Sequence, residues 1–201
     1  MPRSSKPWPR DCAGPVSAER PRLWTIGHSN RALEAFLHLL RAHDIRRVAD
    51  VRSWPGSRRH PRFARTALER SLGAAGIAYR HLPGLGGRRG PQALGRPSPN
   101  GFWEVPGFRN YADYALTPPF AEALEDLVTL GRAQPTAILC AEAHPSRCHR
   151  RILTDHLLAR GIEVVHILGP GRSEPAERAD AARITPDGVV IYPPRQPGLF
   201  G

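Results

Sequence analysis

Lysine is nearly absent from this chain. Lys6 is the sole lysine, so arginine supplies almost all of the 29 basic residues, which face 18 acidic ones for a net charge of +11. That excess favours polyanionic partners such as DNA or a nucleotide. The arginine and proline bias also fits a composition skewed by a GC-rich genome, so charge alone does not locate a binding face. Cysteine is scarce too. Cys12, Cys140 and Cys148 form a small, odd set, which excludes a disulfide framework. No apolar run is long enough to cross a bilayer, and no internal repeat is visible. Residues 1–22 carry five prolines and lack the apolar segment of a secretory signal. They are expected to form a disordered basic arm on a cytoplasmic protein that does not contact membranes.

What is present reads as one α/β domain over residues 23–193. Short apolar segments at 22–27, 47–51, 77–81, 136–140 and 163–168 alternate with amphipathic stretches. Leu33, Phe36, Leu37 and Leu40 give one helical face, with Ser29 or Asn30 as the expected cap. Thr117-Pro118 marks another helix start, and Gly76 and Gly161 mark helix ends. Strand–helix alternation predicts a mostly parallel sheet with helices on both faces. Residues 84–107 hold no such pattern and are expected to be a long functional or disordered loop.

In open parallel sheets, ligands bind where strands end and helices begin. The positions after each expected strand are therefore the informative ones. His28 and Ser29 follow the first. Asp50, Arg52 and Arg58 follow the second. Tyr79, His81, Gly86 and Gly87 follow the third, and Glu142, Cys148, His149 and Arg150 follow the fourth. Four chemistries fit this set. Asp50 and Glu142, with His81 as a proton carrier, can work as acid and base. Cys148, near a helix start and beside His149 and Arg150, can be a thiolate nucleophile. Arg52, Arg58 and Arg150 can hold phosphate, with His28, Ser29, Tyr79 and His149 lining the site. Gly86 and Gly87 would let the backbone approach the ligand. A metal centre is the fourth. Cys140, His144, Cys148 and His149 are soft donors, but no C-x-x-C pair occurs and adjacent Cys148 and His149 are expected to diverge on a helix start. Neither a metal nor a cofactor is expected.

The segments TIGHSN, ADVRSWPGSRR, YRHLPGLGGRR and LCAEAHPSRCHRR occur in this order. Together they resemble the domain-of-unknown-function family 488. The resemblance implies a single α/β domain of a mostly bacterial, cytoplasmic family, and it fixes no reaction. It carries His28, Ser29, Asp50, Arg52, Ser57, Arg58, Tyr79, His81, Gly86, Gly87, Glu142, Cys148, His149 and Arg150 as motif positions.

Residues 194–201 read as a flexible tail. Gln196, Leu199 and Phe200 resemble the Q-x-x-L-F peptide that inserts a Leu-Phe pair into an apolar pocket of the bacterial sliding clamp. The combined expectation is an enzyme for a phosphate-bearing ligand, either DNA or a nucleotide, with hydrolysis in DNA repair or processing as the preferred setting. A cysteine-dependent small-molecule enzyme and a non-catalytic nucleic-acid-binding module are the alternatives. Deleting residues 196–201 is expected to abolish binding to a purified sliding clamp, measured by surface plasmon resonance, while the thermal midpoint stays unchanged.

Overall fold

The computed structural model describes residues 21–56 and 59–195. The expected apolar segments form β1 (Arg22–Gly27), β2 (Arg47–Asp50), β3 (Ala78–His81), β4 (Thr136–Cys140) and β5 (Glu163–Gly169). All of their mutual pairings are parallel. β6 (Arg172–Pro175) adds one antiparallel edge, giving the order β3-β2-β4-β1-β5-β6. This strand is exposed along its whole length, so no apolar pattern announced it. β8 (Val190–Ile191) pairs with β7 (Arg183–Ile184) in a separate two-stranded ribbon.

Among the described residues five α-helices cover the sheet: α1 (Leu33–Arg41), α2 (Arg65–Ala74), α3 (Pro106–Tyr114), α4 (Pro118–Ala133) and α5 (Arg150–Ala159). Alternation along the strands decides which helix meets which face. Val48, Ala137 and Leu139 point to one side, where Phe36, Leu39 and Leu40 of α1 and Leu68 and Leu72 of α2 complete a core. Ala49 and Ile138 point to the other, where Tyr111 of α3, Leu124 and Leu127 of α4 and Leu153 and Leu157 of α5 complete a second. The protein is thus a single-domain α/β fold with a mostly parallel sheet between two helical layers. Among the described residues no helix is long and apolar enough to cross a membrane.

Two local departures from the sequence expectation bear on the site. α1 starts at Leu33, and its N-cap Ala32 makes no side-chain cap bond, so neither Ser29 nor Asn30 caps it. Ser29 instead adopts φ 47°, and its N–H donates to the Ala141 carbonyl. The turn after β1 is thereby clamped to the loop after β4. Residues 86–105 contain no helix or strand, yet the segment is tied down. Asn100 is fully buried and donates to Asp113, and Tyr111 and Tyr114 donate to the carbonyls of Leu85 and Gly84 just ahead of it. Arg89 donates to the carbonyls of Pro83, Gly84 and Gly86 and lies 3.8 Å from the centre of the Tyr114 ring.

The clamp after β1 requires a glycine. A Cβ at Gly27 would collide with the Glu142 backbone carbonyl. Overpacking against backbone costs about 1–3 kcal/mol. Gly27→Ala is therefore expected to lower the urea midpoint by that equivalent, with an unchanged slope.

Candidate active site

The parallel arrangement brings the ends of β1, β2, β3 and β4 to one rim, and two different polar assemblies form there. The first is centred on Asp50, which is 0% exposed. Asp-x-Arg on an extended chain puts both side chains on one face, and Arg52 closes back on Asp50. Its Nε donates to both carboxylate oxygens, at 2.9 and 3.1 Å, and its Nη2 donates at 2.6 Å. The Arg52 backbone N–H and the Tyr79 hydroxyl donate to the same carboxylate. Arg52 Nη1 donates to the Phe63 carbonyl and to His28 Nε2. His81 Nε2 donates to the Arg52 carbonyl at 2.9 Å.

Charge in this assembly is balanced internally. Burial alone would lower the Arg52 pKa, but the hydrogen bonds and charge of Asp50 outweigh it and raise it. Burial raises Tyr79, with Asp50 adding to the effect. Burial holds His28 down at about 4, so its ring is neutral at pH 7. Its Nδ1–H then donates to the Ser29 carbonyl while Nε2 accepts from Arg52, and the ring stacks 4.4 Å from Phe63. An acid–base role was expected for Asp50; its oxygens serve Arg52 and Tyr79, and it does not line the pocket described below. Arg52, His28 and Tyr79, expected around a phosphate, and His81, expected as a proton carrier, likewise have internal partners. Arg58 lies outside the described residues, as do Gln196, Leu199 and Phe200.

The second assembly follows β4. Cys140 ends the strand, and Cys148 directly precedes the α5 N-cap, His149. The adjacent pair was expected to diverge. It converges because Cys148 is extended (φ −137°, ψ 149°) and not yet helical, while His149 is already αR. His149 Nδ1 lies 3.5 Å from Cys148 Sγ and 3.9 Å from Cys140 Sγ. The three donor atoms all lie within 4.8 Å of one another. No fourth His, Cys, Asp or Glu joins them among the described residues, so they do not make the closed four-donor set of a structural zinc site. His144 turns away, its Nδ1 engaged by Ser146.

Arg150, 1% exposed, completes this assembly. Its Nε donates to Cys148 Sγ at 3.5 Å, Nη1 to Thr25 Oγ1, and Nη2 to the Glu142 and Ala143 carbonyls. A phosphate contact was expected of Arg150; each of its guanidinium nitrogens is engaged within the protein. The two sulfurs titrate as one unit. The neighbouring Cys140 thiol, with help from His149 and Arg150, pulls Cys148 well below the usual thiol range in spite of burial. The same interaction, with burial, pushes Cys140 above it. The directions favour a thiolate at Cys148, the sulfur that His149 and Arg150 approach most closely.

A pocket of about 320 Å³ opens over this thiolate. Cys140, Cys148 and His149 form one wall, and Gly87, Arg52 and Ser53 another. Gly87 has to be glycine, since a Cβ there would meet the His149 ring, and a Cβ at Gly86 would meet Ser53. Trp54, 78% exposed, and Val105, 57% exposed, give an apolar rim with Phe108. Arg88, Arg147 and Glu142 are exposed at the opening. No side chain of these three makes a hydrogen bond or ion pair with the described residues. Val105 and Phe108 were not anticipated as site residues. Val105 belongs to a patternless stretch, and its exposure is the signal that only the fold reveals.

The fold and pocket define an open α/β-sheet protein with a thiol-bearing cleft at the carboxyl edge of its strands. The family model described as "Domain of unknown function DUF488" matches residues 32–157, more than half of the chain, and the protein belongs to that family. The match takes in Asp50, Arg52, Cys140, Glu142, Cys148 and Arg150, and it begins after β1. No curated protein and no solved structure matches the chain.

The two assemblies differ in what they support. Removing one partner of a buried ion pair leaves an uncompensated charge and costs about 3–5 kcal/mol. Asp50→Asn is expected to destabilise by that amount in guanidinium unfolding, whereas Glu142→Gln is expected to leave stability within about 0.5 kcal/mol.

Proposed function

We propose that this protein is a cysteine-dependent enzyme whose Cys148 thiolate attacks an electrophilic centre of a small phosphate-bearing ligand, such as a nucleotide, held in the pocket. The observation that carries the reading is the surround of Cys148 Sγ: His149 Nδ1 at 3.5 Å, Arg150 Nε at 3.5 Å and the Cys140 thiol, beneath an open cleft. A thiolate stabilised by donors at a helix N-terminus is the usual form of an activated cysteine.

The remaining lining supplies the recognition. Among the described residues that line the pocket, Arg88 and Arg147 are the cations still available to an anion, and arginine forks suit phosphate oxygens. Trp54, Val105 and Phe108 offer a flat apolar surface to an aromatic or aliphatic part of the ligand. The cavity is at the small end of ligand sites, so it suits a free nucleotide or one extruded residue of a strand and not an intact duplex. In the reaction, a bond forms from Sγ to the electrophile, the bond to the leaving group breaks, and the leaving group takes a proton from water. Glu142, exposed at the mouth, is the base for the water that then cleaves the Sγ adduct, releasing the product and restoring the thiolate. The pairing of Asp50 with Glu142 as acid and base has less support, because Asp50 is enclosed by Arg52 and Tyr79.

The reading sets a pH signature. A depressed pKa keeps the thiolate populated as pH falls, so alkylation of Cys148 by iodoacetamide is expected to stay flat between pH 8 and about pH 5. An ordinary thiol would slow roughly tenfold per unit below its pKa. Inorganic phosphate is expected to slow the reaction, and Arg147→Ala to remove that protection. Turnover against a nucleotide panel should vanish in Cys148→Ser and persist in Asp50 variants that remain folded. A tenfold-per-unit decline in alkylation would overturn the reading, and salt-sensitive DNA binding without any turnover would favour a binding module instead.

A further inference from the structure

The nucleophile already has His149 and Arg150 as donors. A serine at position 140 would hydrogen-bond to a thiolate as well as a cysteine does. Position 140 nevertheless carries a second free thiol, and both sulfurs border the same pocket. We propose that Cys140 is the resolving thiol of an oxidant-formed Cys140–Cys148 disulfide, and that hydroperoxides are the class of oxidant that forms it.

The juxtaposition carries the argument. The two sulfurs lie within 4.8 Å of each other, so a displacement of under about 3 Å brings them to the ~2.05 Å of a disulfide. Cys140 is anchored in register with Gly27 at the end of the central strand β4. Cys148 sits in extended backbone just outside α5, where its side chain is free of the rotamer restriction that a helix imposes. The anchored thiol thus faces one able to turn toward it. The pocket gives a peroxide access to the thiolate, and the inference rests on the thiolate reading given above.

The chemistry balances with the peroxide as the only co-reactant. Cys148 Sγ attacks the distal oxygen of the hydroperoxide. The S–O bond forms, the O–O bond breaks, and the departing alkoxide takes a proton from water. Cys140 Sγ then attacks the sulfenic sulfur. The S–S bond forms, the S–O bond breaks, and the hydroxide leaves as water with the Cys140 proton. Two thiols are oxidised and one peroxide is reduced to an alcohol and water. An external dithiol restores the pair by exchange. Cys140 therefore diverts the sulfenic acid from the irreversible sulfinic stage, and the disulfide silences the nucleophile until it is reduced.

The test uses the full chain carrying Cys12→Ser, so that the third thiol cannot interfere. It is treated with one equivalent of hydrogen peroxide at pH 7 and examined by intact mass and peptide mapping. The expected product has lost two hydrogens, shows a 140–148 cross-link, and regains its iodoacetamide reactivity with dithiothreitol. In Cys140→Ser the expected product is a Cys148 sulfenic acid trapped by dimedone, which without dimedone gains a second oxygen and does not recover. Flat low-pH alkylation of Cys148 with no cross-link overturns the inference and leaves the thiolate reading standing. Alkylation that declines tenfold per pH unit overturns the thiolate reading itself. The wild-type cross-link decides the matter even if Cys140→Ser fails to fold.

Discussion

The interaction on which the site depends is the buried guanidinium of Arg150. It reaches back from the first turn of α5 to Thr25 in β1 and to the carbonyls of Glu142 and Ala143 in the loop after β4. One side chain therefore joins a helix, a central strand and the loop that shapes the pocket. A buried charge has to be compensated, and no carboxylate pairs with Arg150 among the described residues. The nearest anion is the Cys148 sulfur, 3.5 Å from Nε. The carbonyls solvate the guanidinium, and a thiolate at Cys148 neutralises it. The cation that holds the loop in place thus adds to what Cys140 and His149 do to favour a thiolate at Cys148.

Arg52 makes the contrast. It too is buried at the strand ends, but its counter-ion is Asp50, and Tyr79 saturates the same carboxylate. An Asp–Arg pair with all of its lone pairs satisfied is chemically quiet, and it serves to fix His28, His81 and the segment leading to Trp54. A thiolate–Arg pair has a polarisable sulfur with weak, long hydrogen bonds and remains nucleophilic. Two similar-looking motifs, Asp-Val-Arg and Cys-His-Arg, therefore have opposite fates. The first organises the rim, and the second faces the pocket.

The fold was largely legible because buried parallel strands are short apolar runs ended by polar residues, a rule that β1, β2 and β4 obey, while β3 at the sheet edge has no buried residue and was marked by its apolar neighbours Ile77 and Leu82. β6 was not legible, since an exposed edge strand such as Arg172–Pro175 leaves no apolar signature. The rim was legible for the same reason as the strands: Asp50, Glu142 and Cys148 were expected to share one edge, and the parallel order puts the ends of β2 and β4 side by side. The division of roles was not. Nothing in the spacing distinguishes a carboxylate facing solvent from one closed by the arginine two residues later. The convergence of Cys148 and His149 turned on a single backbone state, extended at 148 and helical at 149. A residue count treats that junction as ordinary helix and sends the two side chains apart.

The charge excess has a structural reading that composition could not supply. Arginines around the pocket divide by what they already bond. Arg52 and Arg150 are consumed inside, and Arg89 is spent on three carbonyls and the Tyr114 ring. Their positive charge is needed to fold the strand ends and the long loop, and it says little about partners. Arg88 and Arg147 are different, because the fold gives their side chains no work and leaves them exposed at the mouth. A net charge of +11 would suit diffuse attraction to any polyanion. On the reading proposed above, two guanidinium groups without partners among the described residues, beside an apolar rim and above the Cys148 sulfur, suit a ligand small enough for the cleft. We propose that this ligand carries an anionic end for the arginines, an apolar face for Trp54 and an electrophilic atom for Cys148.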